Sequence, residues 1–72
     1  MKTVKVIEVI GTSEKSWEEA AENAVKTSSG TIENITGVEV VAQTAKVKDG
    51  SIVEYRADVK LAFIYDKKLK ER

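Results

Sequence analysis

Residues 52–65 read Ile52-Val53-Glu54-Tyr55-Arg56-Ala57-Asp58-Val59-Lys60-Leu61-Ala62-Phe63-Ile64-Tyr65. Side chains alternate across a strand, so Tyr55, Ala57, Val59, Leu61, Phe63 and Tyr65 fall on one face. Ile52, Glu54, Arg56, Asp58, Lys60, Ala62 and Ile64 fall on the other. One face is apolar and the other mixed. A chain of 72 residues is too short to bury such a long strand well on its own. A subunit that assembles with copies of itself is therefore expected.

The rest of the chain supplies the partners of this strand. Val4 to Ile10 is rich in β-branched residues and predicts a first strand, broken by Gly11-Thr12-Ser13. Ser16 with Glu19 fits a capping box, in which the serine accepts the N3 amide and the glutamate reaches back to the serine amide. Trp17, Ala20, Ala21, Ala24, Val25, Ser28, Ile32 and Ile35 follow helical spacing. Glu18 and Glu19 suit the first turn, and Glu22 with Lys26 forms an i, i+4 pair worth only ~0.3 kcal/mol. The stripe predicts a helix running to about Asn34, weakened at Gly30. Val38 to Lys48 predicts a second strand, and Asp49-Gly50 a type I′ hairpin turn leading into the third. The order is β-α-β-β, an α+β subunit in which a three-stranded antiparallel sheet wraps one helix. Nothing repeats and no linker divides the chain. It reads as a single domain over 1–72, with a core at about 3–65 and a polar tail at 66–72.

Composition closes several function classes. There is no cysteine and no histidine, which removes disulfides, thiolate or imidazole metal sites and histidine acid–base chemistry. Lys plus Arg and Asp plus Glu are both 12, and zero net charge argues against nucleic-acid binding. Lys67, Lys68, Lys70 and Arg72 cluster at the end, but Asp66 and Glu71 interrupt them, as in a solvated tail. No apolar run approaches the ~20 residues that span a bilayer, and Met1-Lys2-Thr3 leads into an amphipathic strand. A soluble, cytoplasmic protein without a membrane partner is expected.

The candidate chemistry is sparse. Gly11-Thr12-Ser13 before a helix lacks the spacing and lysine of a phosphate loop. A turn at a helix start accounts for it. Trp17 is either an anchor for the helix N-terminus or a surface on which a ligand stacks. Tyr55, Phe63 and Tyr65 read as packing residues. Arg56 has two readings: a guanidinium for an aromatic, carboxylate or phosphate ligand, or an ion pair with a residue such as Glu39 or Asp58. Glu8, Glu39, Glu54 and Asp58 are strand carboxylates, the kind usually solvated or paired. The chain does not read as an enzyme.

Five segments, taken together, resemble the dodecins: Val6-Ile7-Glu8-Val9-Ile10-Gly11-Thr12-Ser13, Ser16-Trp17-Glu18-Glu19-Ala20, Val38-Glu39-Val40-Val41-Ala42-Gln43, Val53-Glu54-Tyr55-Arg56, and Val59-Lys60-Leu61-Ala62-Phe63. The resemblance runs from about Thr3 to Tyr65. It implies a hollow, cubic-symmetric shell of twelve subunits, with the chain itself as partner. Flavin-type dodecins hold riboflavin or its nucleotides, such as FMN, in pairs between subunits, and store rather than transform them. The resemblance also marks the flavin-pocket positions. The stacking tryptophan ahead of the second strand corresponds to Gly37, beside Val38. The ring-binding glutamine corresponds to Arg56. With both ring contacts replaced, flavin affinity is expected to be weak or lost. Some dodecins without the tryptophan bind calcium, which suits an oxygen-rich, histidine-free chain. The calcium ligands stay unassigned, and Asp49-Gly50-Ser51 reads as a turn before it reads as a calcium loop.

Overall fold

The computed structural model describes residues 2–66. The expected tail, with Lys67, Lys68, Lys70, Glu71 and Arg72, lies outside the described residues. Four elements follow one another: β1 (Lys2–Ser13), α1 (Trp17–Ser29), β2 (Ile35–Lys48) and β3 (Ser51–Asp66). The sheet order is β1-β3-β2, with both pairings antiparallel. The strand with the clearest alternation therefore sits in the middle, where both edges are hydrogen-bonded.

The helix lies on one face of this sheet, and the alternation of β3 determines which. Ala57, Val59 and Leu61 are fully buried beneath α1, together with Ala20 and Ala24. Ile7, Val9, Ala21, Val25 and Ile35 pack around them, half-buried. Burying a valine or leucine side chain contributes about 1.5–3 kcal/mol, so Val59 and Leu61 anchor the fold. Among the described residues only five hydrophobic side chains are buried. Val4, Val6, Ile10, Val38, Val40, Val41, Val47, Ile52 and Val53 are exposed.

Glycine decides how closely helix and sheet approach. β1 does not break at Gly11 but runs on to Ser13, with Gly11 opposite Ala57. A Cβ on Gly11 would lie 2.1 Å from the Ala20 carbonyl oxygen and 2.8 Å from the Ala24 Cβ. The glycine is there for close packing, not for a turn. Gly11→Ala is expected to push the helix off the sheet and destabilise the protein by about 3 kcal/mol, the upper end of overpacking costs. Chemical denaturation of the variant measures this directly.

The helix start departs in detail from a capping box. Ser16 is extended (φ −164°), and its Oγ accepts the Glu19 amide at 3.0 Å. The Glu19 carboxylate, however, accepts from the Ser13 hydroxyl. Ser13 Oγ in turn accepts the amides of Lys15 and Ser16. A buried serine at the end of β1 thus takes the role expected of the glutamate.

The helix also ends early, at Ser29 and not near Asn34. The amides of Gly30, Thr31 and Ile32 close back onto the Thr27 and Ser28 carbonyls. Asn34 then takes a positive φ of 65° and turns the chain into β2. β2 begins at Ile35, ahead of the expected Val38. Ile35 still reaches the core, but from the strand. At the other end of β2, Asp49 (φ 54°) and Gly50 (φ 79°) form the expected tight hairpin. The β2–β3 ladder slips register between Ile35 and Gly37, between Val40 and Ala42, and between Lys46 and Val47, whereas the β1–β3 ladder is continuous.

Candidate functional site

The three positions singled out for a ligand divide between the two faces of the sheet. Gly37 pairs with Ala62 and faces away from the helix. A Cβ there would meet only the Ala62 Cβ, at 3.8 Å, an ordinary contact. Val38 pairs with Leu61 and lies on the helix side. Arg56 shares the open face with Gly37, between Thr12 of β1 and Thr44 of β2. Along β3, the register partners of Gly37 and Thr44 are Ala62 and Arg56, six residues apart, or roughly 20 Å at strand rise. One copy does not bring Gly37 and Arg56 together.

Arg56 is ion-paired, though not across strands to Glu39 or Asp58. Its Nε donates to Glu54 Oε1 at 2.8 Å, two residues away on the same face. Its side chain is 46% exposed, so the pair contributes about 0–1 kcal/mol. The guanidinium stays available to a ligand.

Trp17 is an anchor. Its Nε1 donates to the Thr44 carbonyl at 2.7 Å, and its ring meets Tyr55 edge-on with centroids 4.8 Å apart. Asn23 adds a second tie, its Nδ2 donating to the Thr12 carbonyl. Between α1 and β2 a shallow apolar groove remains, lined by Trp17, Ala21, Val25, Val38 and Val40. Lys5 lies 4.8 Å over the Tyr65 ring on the same side of the sheet.

The open face carries the carboxylates. Glu8, Lys60 and Glu39 form one row across β1, β3 and β2; Ile10, Asp58 and Ala42 form the next. Glu8 and Asp58 meet diagonally, and the hydrogen bond to Asp58, its negative charge and a little desolvation together raise the Glu8 pKa from 4.5, against the opposing pull of Lys60. Alternation alone puts both residues on the mixed face; only the β1–β3 register makes them neighbours. Among the described residues no three acidic side chains gather closely enough to hold a metal ion. No helix among them is long and apolar enough to cross a membrane.

Comparison with known proteins agrees with this geometry. The family model for Dodecin matches residues 3–66. The calcium dodecin of Mycobacterium tuberculosis is 35% identical over 63 residues, which span 88% of this chain and 89% of that protein. Dodecin from Streptomyces coelicolor superposes with a TM-score of 0.88 at 31% identity, over 90% of this chain and 93% of that one. The crystal structure of the Mycobacterium tuberculosis calcium dodecin, a calcium-chelating antigen with its own calcium-binding site, gives a TM-score of 0.76 at 37% identity. That match covers 85% of this chain and 87% of the other.

Proposed function

This chain belongs to the dodecin family, and from that premise we propose that it builds a homododecameric shell that binds and stores a small ligand in the cytoplasm and catalyses no reaction. The observation that carries the reading is the amount of apolar surface one copy leaves uncovered. The groove between α1 and β2, with Val38 and Val40 at 50% and 47% exposure, is left open by the described residues. Sister subunits would fill it. They would also bring Gly37 of one copy near Arg56 of another, a pocket that no single copy forms.

Flavin affinity in such a pocket is weak or lost. Gly37 offers no ring to stack on. Arg56 donates hydrogen bonds but accepts none, so it serves flavin carbonyls and not the ring imide. A second reading has a specific observation behind it: relatedness to a calcium dodecin at 35% identity. Calcium takes six to eight oxygen ligands. One copy offers pairs of carboxylates, so such a site would draw on several copies.

Light scattering and riboflavin titration test the proposal together. A particle of twelve subunit masses with at most weak quenching of riboflavin fluorescence is expected. A monomer in dilute solution would end the shell reading. A colourless shell that shows no quenching, and whose unfolding midpoint rises with calcium, would select the second ligand.

A further inference from the structure

We propose that Glu8 and Asp58 share a single proton across the β1–β3 pairing, and that losing it loosens the pairing and makes the subunit sensitive to pH. The argument begins with a count of charges. On the open face Lys60 stands between Glu8 and Glu39 in its row. Asp58 occupies the next row, between Ile10 and Ala42, which offer it no polar group. The next cation along β3, Arg56, is engaged by Glu54. Lys46 lies one row further, opposite Glu54. The helix is on the other side of the sheet and contributes nothing. One ammonium therefore serves three carboxylates.

The second observation concerns Asp58 itself. Its Oδ1 has no solvent-exposed surface and no hydrogen-bond donor. A buried acceptor without a donor is costly. The carboxyl diagonal to it across the β1–β3 pairing, on the same face, is Glu8, which becomes a donor only when protonated; the Asp58 carboxyl beside it raises the Glu8 pKa. Two carboxyls placed diagonally on neighbouring strands repel when both are charged, which favours a proton on Glu8. Glu8 is exposed, so the proton exchanges freely with solvent and the pair can follow pH.

The sign follows from the direction of the shift. The folded state holds the Glu8 proton more tightly than the unfolded chain, whose value is near 4.5. The stabilisation is complete below that value and is lost as pH rises through the higher folded value.

Thermal unfolding of the assembled protein between pH 4 and pH 8 tests this, with a carboxyl 13C NMR titration of Glu8. The wild-type midpoint should fall with rising pH above 4.5, and Glu8 should titrate above that value. Glu8→Gln keeps a permanent donor beside Asp58, so it should raise the midpoint at pH 7 and flatten the profile. Lys60→Gln should move the Glu8 titration higher still. Titration of wild-type Glu8 at or below 4.5 would overturn the proposal, whatever the variants do. So would parallel profiles for wild type and Glu8→Gln.

Discussion

Val59→Asp should yield no folded assembly. Val59 is fully buried at the centre of β3, opposite Val9 and Val40 and beneath the helix alanines. The buried cluster around it contains only apolar side chains. An aspartate there either carries an unpaired charge out of water or holds a proton at neutral pH, and both are expensive. A loss of about 5 kcal/mol consumes most of the stability of a domain this small. Circular dichroism should show an unfolded chain and light scattering no shell. A variant that sized as the full particle would mean that the β3 face described above is not the core.

The second large effect is a gain. Gly37→Trp combined with Arg56→Gln should raise riboflavin affinity by one to two powers of ten or more. Stacking one aromatic ring on a base-like ring is worth ~1–3 kcal/mol, and ~1.4 kcal/mol is tenfold in affinity. A β-carbon at Gly37 is accommodated within one copy, since it meets only the Ala62 methyl at ordinary contact distance. Arg56→Gln gives up a weak pair with Glu54 and gains an acceptor. Fluorescence quenching by titration reads the result. An assembled double variant with no gain would show that these positions do not line the ligand pocket.

How far the sequence could be read differs from residue to residue. The β3 alternation identified the core face correctly, because each burial position on a strand is fixed by parity alone. Asp49-Gly50 and Ser16 also announced themselves, since positive φ and helix capping demand particular chemistry. Ile32 and Ile35 misled for a physical reason. Ile35 does reach the core, and a spacing pattern records burial without recording whether a helix or a strand delivers it. Gly11 was legible as special but not as to why. A glycine that ends a strand and one that admits a helix look alike until the helix is placed. Register was the deeper gap. It decides that Glu39 lies opposite Lys60 and not Arg56, and that Glu8 lies diagonal to Asp58. It also separates Gly37 from Arg56 within one copy, so the proposed pocket would require a contact between chains.

The slips in the β2–β3 ladder have a consequence for how this chain can change length. Thr36 and Val41 are the surplus residues at two of them, each without a Cα partner on β3. Excising either would leave every other side chain of β2 on its present side and simply regularise the ladder. Excising a residue from the unbroken middle of β1, Val9 for instance, would invert the inside and outside of everything beyond it on that strand. Single-residue gaps are therefore affordable at two points of one edge of the sheet and ruinous along the other.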